Sequence, residues 1–238
     1  MSRLKELKEV CWEANMEIPR HKLAIYTFGN VSALDSEEGI FAIKPSGVPY
    51  DEMEPADMVL VDLDGKKVEG KLNPSSDTPT HAVLYRFLSG IYSIVHAHSA
   101  YAVAWAQACR SIPVYGTTHA DHLAGDIPVT KVMSDEMIKG QYEEQTGYQI
   151  INALKKKDLS PHDVQMILVA CHGPFTWGET PDKAVYNAVV LEEIARMAYM
   201  TEQVNPDIKR MKETLINKHY QRKHGKDAYY GQGKNKQE

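Results

Sequence analysis

Two histidines separated by one residue, His96 and His98, have the residue type and spacing of metal ligands. On a β-strand, residues i and i+2 point to the same side, so both imidazoles can bind one ion. His172 follows a second apolar run and stands immediately before Gly173-Pro174, where a turn lets a side chain reach into a cleft. Three imidazoles with one open position are typical of a catalytic zinc site, whereas structural zinc sites are usually closed by cysteines.

The spacing alone leaves alternatives open. With ten histidines in the chain, an HxH pair can arise by chance among ordinary core or surface residues. The stretch His119-Ala120-Asp121-His122 forms a rival cluster between Gly116 and Gly125, with histidines spaced to meet on a helical turn. Ligands on a loop need more support than ligands on a strand. Asp121 can instead be a free carboxylate near the metal, suited to proton transfer.

Three turns rich in hydroxyl side chains and glycine have the composition of an anion site. Backbone N–H groups and hydroxyls can bind a phosphate in such turns, although the same residues also make plain turns. Together with the charge of Lys44, the set suits a small anionic substrate. The turns are Gly29-Asn30-Val31-Ser32, Lys44-Pro45-Ser46-Gly47 and Asn73-Pro74-Ser75-Ser76-Asp77.

The composition predicts a cytoplasmic globular protein. The 238 residues are 43% hydrophobic and 25% charged, and no Gly/Ser/Pro linker divides them, so one domain over residues 1–238 is expected. No apolar run approaches the roughly 20 residues of a membrane span. The three cysteines Cys11, Cys109 and Cys171 are distant in sequence and odd in number, which favours a reducing compartment and buried, unpaired thiols.

The charge is unevenly distributed along the chain. The net charge is −5, yet from Lys209 onward nine Lys or Arg residues face three acidic ones. A basic segment can bind nucleic acid, but no aromatic-stacking motif or reading helix accompanies this one. We therefore expect no nucleic-acid partner, a solvated face for most of these lysines, and a local anion site.

Hydrophobic periodicity predicts interleaved helices and strands. The early strands arrive as hairpins, with Asp64-Gly65 as a turn signal, which favours an α/β fold with three α/β/α layers around a mainly antiparallel sheet. Thr78, Ser99 and Thr180 are predicted helix N-caps, two of them followed by proline. The pattern predicts strands at about 40–43, 58–62, 67–69, 93–98 and 165–170, and helices at about 4–14, 78–88, 100–108, 142–157, 181–204 and 208–223.

Several strings in order along the chain resemble the class II aldolase/epimerase family. The resemblance runs from about Leu4 to Gln232. The strings are Phe28-Gly29-Asn30-Val31-Ser32, Ile43-Lys44-Pro45-Ser46-Gly47-Val48, Ser75-Ser76-Asp77-Thr78-Pro79-Thr80-His81, Val95-His96-Ala97-His98-Ser99, Gly116-Thr117-Thr118-His119-Ala120-Asp121, His172-Gly173-Pro174-Phe175, His219-Tyr220-Gln221-Arg222-Lys223-His224-Gly225 and Ala228-Tyr229-Tyr230-Gly231-Gln232.

The resemblance implies a metal centre and its ligands. His96, His98 and His172 correspond to the ligands of Zn²⁺, for which Mn²⁺ or Co²⁺ can substitute, and Asp77 is the acidic residue beside or on the metal. The sugar-phosphate aldolases of the family have a glutamate base at that position. Asp77 is a departure that points to the epimerase branch.

The resemblance also implies a sugar-phosphate substrate and a homotetramer with active sites between subunits. Asp121 and Tyr230 resemble the proton-transfer pair, with Tyr230 coming from a neighbouring subunit, and the basic segment from about 208 to 238 reaches that interface. The implied phosphate pocket consists of Asn30, Lys44, Ser46, Gly47, Ser75, Ser76 and Arg222.

The implied activity is epimerisation of a ketose phosphate by breaking and remaking a carbon–carbon bond. An aldolase that releases the aldehyde is the nearest alternative. A zinc hydrolase fits the three histidines alone, but it leaves the anion-suited turns unexplained. A regulatory domain that keeps the metal for structure is the non-enzymatic alternative.

Overall fold

The centre of the protein is a seven-stranded sheet in which each pair of neighbouring strands is antiparallel. The computed structural model describes residues 3–226 and 228–229. The strands are β1 (Asn30–Asp35), β2 (Ile40–Ile43), β3 (Val59–Asp62), β4 (Lys67–Glu69), β5 (Ser93–His96), β6 (Met166–Leu168) and β7 (Pro174–Gly178). Their order across the sheet is β4-β3-β2-β1-β5-β7-β6.

Helices surround this sheet. Within the described residues, no helix is both long and apolar enough to cross a lipid bilayer. The helices are α1 (Arg3–Arg20), α2 (Thr78–Phe87), α3 (Ala100–Gln107), α4 (Thr117–Ala120), α5 (Asp135–Lys139), α6 (Tyr142–Lys156), α7 (Pro181–Val204) and α8 (Glu213–His224), with short 3-10 turns at Tyr50–Glu52 and Pro55–Asp57.

The central strands of the sheet are buried on both faces, so that successive side chains enter different cores. On β2, Phe41 and Ile43 pack with α2 and α6 in one core, whereas Ala42 packs with α1 and α7 in the other. The same alternation separates Ile94 from Val95 on β5. The predicted α/β class, with three layers around an antiparallel sheet, is confirmed.

Two strands that position the site are missing from the sequence prediction. β1 contains Asn30 and Ser32, for which the sequence predicts a turn; the turn is only the entry, and the strand continues to Asp35. β7 begins at Pro174, where the sequence predicts that the chain leaves the sheet. Proline has no N–H to donate, but it is tolerated as the first residue of a strand.

One predicted helix cap is wrong, one lacks its hydrogen bond and one is confirmed. α2 is preceded by Asp77 as N-cap, and Thr78 is the first helical residue; its hydroxyl donates to the Ser75 carbonyl at 2.6 Å. Ser99 is at the N-cap of α3, but its side chain makes no capping hydrogen bond. Thr180 caps α7 as predicted, accepting from the Lys183 N–H at 3.2 Å.

The last helix starts five residues later than predicted, at Glu213. The preceding segment after Asn205-Pro206 is not helical; there the N–H of Met211 donates to the carbonyl of Val114 at 2.8 Å. A proline disfavours the helical conformation of the residue that precedes it. The contact with Val114 also uses the Met211 N–H, which a helix starting at residue 208 would need for its own hydrogen bonding.

The expectation of three buried cysteines is wrong for two of them. Cys11 is buried, and its thiol contacts the carbonyl oxygens of Val31 and Ala42. Cys109 and Cys171 are exposed, and their sulfur atoms lie 3.5 Å apart. Both follow the ends of buried segments at turns with positive φ, which separation in sequence does not predict.

Candidate metal centre and anion pocket

The register of the central strands brings the candidate residues together. Asn30 at the start of β1 pairs with His96 at the end of β5, and His96 pairs with Phe175 on β7. His98 lies two residues beyond the end of β5, so the pair is not wholly on a strand as predicted. The site therefore forms where three adjacent central strands, β1, β5 and β7, have their ends side by side.

Among the described residues, a cluster that could bind a metal ion consists of His96, His98 and His172. Each offers a ligand nitrogen, and these atoms all lie within 4.8 Å of one another. The Nε2 atoms of His96 and His98 are 3.0 Å apart. Tetrahedral coordination at zinc–nitrogen distances of about 2.0–2.1 Å separates neighbouring nitrogens by about 3.3 Å. The donor set therefore fits a divalent ion of the zinc type.

Backbone and ring contacts fix the orientation of His96. Its Nδ1 lies 2.9 Å from the carbonyl oxygen of Pro174. Because a carbonyl can only accept, Nδ1 carries the proton and Nε2 keeps its lone pair for a metal. The imidazole also stacks on the Phe175 ring, with centroids 4.3 Å apart and planes 16° from parallel.

Tyr142 is a functional candidate that the sequence interpretation missed. Its hydroxyl lies 3.3 Å from Nδ1 of His172, and its side chain lines the same cavity. A polar partner on the second nitrogen orients a ligand imidazole, as the Pro174 carbonyl does for His96. The available signal was its place at the start of the predicted helix 142–157, since the N–H groups at a helix N-terminus can bind an anion.

Asp77 lies beside the three histidines but outside the set with ligand atoms within 4.8 Å. One carboxylate oxygen accepts from Asn30 Nδ2 at 2.7 Å. Burial acts to raise the pKa of Asp77, but the electrostatic influence of His96 and His81 and the Asn30 hydrogen bond outweigh it, so the net shift is downward. The carboxylate is therefore charged at neutral pH and adds negative charge to the cluster.

A cavity of about 440 Å³ joins the histidines to the predicted anion turns. The backbone holds two of these turns together, because the Ser46 N–H donates to the Asn73 carbonyl and the Ser75 N–H to the Lys44 carbonyl, at 3.0 and 2.9 Å. The lining includes the predicted residues Asn30, Lys44, Ser46, Gly47, Ser75, Ser76, Asp77, His96, His98 and His172.

Lys44 is a buried ammonium in the part of this cavity that the predicted anion turns form. It is 2% exposed, and its Nζ donates to the carbonyl oxygens of Val48 and Thr27 at 2.9 and 3.3 Å. It also lies 4.8 Å from the centroid of the Tyr50 ring. Burial lowers the pKa of Lys44 to about 8. A charge surrounded by neutral dipoles is suited to receive an anion.

Ser32 is not part of the cavity, although it belongs to the third predicted turn. Its hydroxyl is buried on β1 between His81 Nδ1 at 2.7 Å and the Tyr85 hydroxyl at 2.6 Å. Asn30 and Ser32 lie on the same face of β1. Ser32 is two residues further along the strand, where its hydroxyl contacts α2 instead of the cavity. This turn therefore contributes Gly29 and Asn30 to the cavity lining.

The rival cluster at residues 119–122 does not assemble as a metal site among the described residues. His119 is buried, and its Nε2 lies 3.1 Å from the carbonyl oxygen of Gly125. His122 packs near the Tyr186 ring, with centroids 5.8 Å apart. These contacts direct the two rings to different neighbours.

Asp121 and Arg222 lie outside the cavity lining and contact each other instead. Arg222 donates through Nε and Nη2 to the two Asp121 oxygens, at 3.0 and 2.7 Å, and His219 Nδ1 is 2.9 Å from the same carboxylate. Burial acts to raise the pKa of Asp121, but Arg222 and His219 produce a net downward shift. Tyr230 lies outside the described residues.

Comparison with known proteins identifies the family. The model of the class II aldolase and adducin N-terminal domain matches residues 9–199. L-ribulose-5-phosphate 4-epimerase UlaF of Salmonella paratyphi A (strain ATCC 9150 / SARB42) is 50% identical over 229 residues, covering 96% of this chain and all of that protein. The protein of the same name from Salmonella typhi matches with the same identity and coverage.

Solved structures share the fold at low sequence identity. An L-fuculose 1-phosphate aldolase superimposes with a TM-score of 0.75 at 21% identity, covering 90% of this chain and 94% of that one. L-fuculose-1-phosphate aldolase from Thermus thermophilus gives a TM-score of 0.66 at 21% identity, covering 84% of this chain and 97% of that one. The chain belongs to the class II aldolase family, whose members are typically metal-dependent.

Proposed function

We propose that the protein is a metal-dependent L-ribulose-5-phosphate 4-epimerase, which interconverts L-ribulose 5-phosphate and D-xylulose 5-phosphate at C4. The observation that carries this proposal is the joining of a three-histidine cluster to a lysine-containing anion pocket in one cavity. The 50% identity to proteins with this name supports the choice of reaction.

The chemistry of the substrate requires cleavage rather than simple proton removal at C4. The hydrogen on C4 is β to the C2 carbonyl and is not acidic. Breaking the C3–C4 bond is feasible because its electrons move into the C2 carbonyl and form an enediolate. Rotation of the cleaved aldehyde while it stays bound, followed by addition to its other face, gives the epimer.

The three histidines are the proposed metal ligands, with Asp77 beside or on the metal, and Zn²⁺ is the proposed ion. When bound, the ion supplies Lewis-acid stabilisation of the negative charge that develops on the substrate oxygens. His96 is already oriented by the Pro174 carbonyl, and Asn30 holds the Asp77 carboxylate through a 2.7 Å hydrogen bond. Mn²⁺ and Co²⁺ are the proposed substitutes.

The anion pocket is the proposed site of the substrate phosphate. The Lys44 ammonium and the Ser46 and Ser75 turns bind the phosphate and retain the glycolaldehyde phosphate fragment while its aldehyde rotates. Retention distinguishes an epimerase from an aldolase, because an aldolase releases the aldehyde. The other pocket residues proposed are Asn30, Gly47, Ser76 and Arg222.

Asp121 and Tyr230 are the proposed proton-transfer groups. One base cannot serve both epimers well, because the C4 hydroxyl points in opposite directions in the two. Asp121 and Arg222 lie outside the cavity of their own chain, which supports delivery of both residues to a neighbouring subunit. The proposal is therefore a single-domain subunit in a cytoplasmic homotetramer, with the segment from about 208 to 238 at the interface.

The test is incubation of the purified, metal-loaded protein with L-ribulose 5-phosphate. We expect D-xylulose 5-phosphate to accumulate to equilibrium, with no free glycolaldehyde phosphate or dihydroxyacetone. The alternative is a class II aldolase that cleaves a deoxyketose 1-phosphate to dihydroxyacetone phosphate and an aldehyde. Release of those products from such a substrate, without epimerisation of the pentulose phosphate, would replace the proposed function with this alternative.

A further inference from the structure

Cys109 and Cys171 are distant in sequence but meet at the surface. Their Sγ atoms are 3.5 Å apart, although 62 residues separate them along the chain. Both residues are exposed, in contrast to the buried Cys11. A sulfur pair this close, and open to solvent, is accessible to an oxidant.

The backbone holds the two cysteines close together. The N–H of Cys109 and the N–H of Cys171 both donate to the carbonyl oxygen of Ala106, at 3.0 and 2.9 Å. Cys109 has φ +53° and Cys171 has φ +61°, a left-handed conformation that non-glycine residues adopt only when their surroundings impose it. The proximity of the two sulfur atoms therefore follows from the fold of both segments.

We propose that Cys109 and Cys171 are a modification site, where a hydroperoxide converts the two thiols into a reversible intramolecular disulfide. A disulfide needs sulfur atoms about 2.05 Å apart, so the pair must approach by about 1.5 Å. Rotation of two exposed side chains about their Cα–Cβ bonds can supply a movement of that size.

The reaction balances with hydrogen peroxide as the oxidant. One cysteine sulfur attacks a peroxide oxygen, the O–O bond breaks, and a sulfenic acid and one water form. The second sulfur then attacks the sulfenic sulfur and releases another water. Two thiols lose two electrons and two protons in total, and one peroxide is reduced to two waters. A small dithiol reverses the change by exchange.

The disulfide would connect α3 to the segment that contains His172. Cys109 follows the C-terminal end of α3, and Cys171 immediately precedes His172. The modification therefore adds a covalent link between α3 and the segment that supplies a candidate metal ligand. The disulfide itself does not depend on the proposed epimerase activity, so either proposal can fail alone.

Peptide mapping of the full-length protein tests this inference. Wild-type protein is treated with a small excess of hydrogen peroxide, unfolded, alkylated and digested without reduction. We expect a linked pair of peptides that contain Cys109 and Cys171, with a mass two hydrogens below the sum of the two reduced peptides. Dithiothreitol should separate the pair, and Cys11 should be found alkylated. Cys11→Ala should give the same linked pair, whereas Cys109→Ser and Cys171→Ser should not.

A thermal unfolding measurement shows whether the disulfide forms within the native fold or only after the fold is distorted. Closing a loop of this length should raise the Tm of the oxidised wild type by roughly 5–10 °C. The same treatment should leave the Tm of Cys109→Ser unchanged. Links between chains, sulfinic or sulfonic acids without the linked pair, or a lower Tm after oxidation would each overturn the inference.

Discussion

The Tyr142 hydroxyl is the polar group that the structure adds to the predicted metal ligands. Removing it in Tyr142→Phe leaves Nδ1 of His172 without its partner at 3.3 Å. Loss of the hydrogen-bond partner of a ligand histidine typically weakens metal binding by about 10–100-fold. We expect Tyr142→Phe to bind Zn²⁺ about tenfold more weakly, measured by competition with a chromogenic chelator.

Tyr148→Phe is the matched control on the same helix. Tyr148 packs its ring against Phe87, with centroids 5.8 Å apart, so the phenylalanine variant keeps this contact and should bind metal like the wild type. Equal metal affinity of Tyr142→Phe and the wild type would exclude Tyr142 from orienting His172.

The lowered pKa of Lys44 predicts that anion binding in this cavity depends on pH. Burial lowers this pKa to about 8, so the side chain loses its charge as the pH rises through that value. If the protonated form binds the anion, the Kd for glycerol phosphate should rise about tenfold between about pH 7.5 and about pH 9. Isothermal titration calorimetry at the two pH values measures this change.

Lys44→Gln separates this effect from other titrations in the pocket. The variant should bind glycerol phosphate more weakly at about pH 7.5 and lose most of the pH dependence, because glutamine has no proton to release in this range. A wild-type pH dependence that persists in Lys44→Gln would show that another group controls anion binding.

At the residue scale, sequence spacing predicted the site residues that lie close together in single strands and turns. It missed the contacts between side chains from distant segments. The HxH pair and the Gly29-Asn30 part of one turn meet in the cavity because β1 and β5 are paired in register. Backbone hydrogen bonds join the other two turns in the same cavity. Tyr142 is thirty residues from His172, and no local pattern indicates that contact. The ion pair of Asp121 with Arg222 likewise depends on the docking of α8 against α4.

At the scale of elements, the entry into β1 depends on the absence of a side chain at Gly29. This residue has φ +77°, and an added Cβ would lie 2.9 Å from the backbone oxygen of His96. Gly29→Ala therefore combines left-handed strain with displacement of β5. We expect it to lower the free energy of unfolding by roughly 2–4 kcal/mol, measured by urea denaturation.

Gly65→Ala isolates the conformational part of that cost. Gly65 in the β3–β4 turn has φ +81°, but an added Cβ would meet no atom within 4 Å. Its cost should be about 1 kcal/mol, from the positive φ alone. Equal costs at positions 29 and 65 would show that the approach of Gly29 to β5 does not matter for stability.

Element types were predicted better than the strands that the site needs. Hairpin β3–β4 and helix α7 follow directly from the Asp64-Gly65 turn and the Thr180-Pro181 cap. β1 and β7 were missed because their site ends contain glycine, asparagine and proline, which also make turns. Their pairing on either side of β5 is a tertiary choice that local propensity does not determine.

At the scale of the whole molecule, the placement of Asp121 predicts that subunits share active sites. Asp121 contacts Arg222 and His219, outside the cavity that contains His96. We therefore expect His96→Ala and Asp121→Asn each to be inactive alone. Co-refolding the two variants in equal amounts should restore about a quarter of wild-type activity, because random assembly pairs intact halves at that frequency.

Variants of one cavity provide the control for this complementation. Mixing His96→Ala with His98→Ala should restore no activity, because each chain lacks part of the same metal cluster. If His96→Ala with Asp121→Asn also stays inactive while forming oligomers of wild-type size, Asp121 does not act in a neighbour's site.

The Pro174 carbonyl, which accepts a hydrogen bond from Nδ1 of His96, has a consequence for genetics. Its oxygen belongs to the backbone, so no amino-acid substitution at position 174 deletes the acceptor. A mutational scan would measure the effect of replacing the proline side chain at position 174, but it would not detect the contribution of this hydrogen bond. One contact that orients a candidate metal ligand therefore belongs to the paired backbone and cannot be removed by a point mutation. Backbone chemistry, such as replacing the amide by an ester, would reveal its contribution.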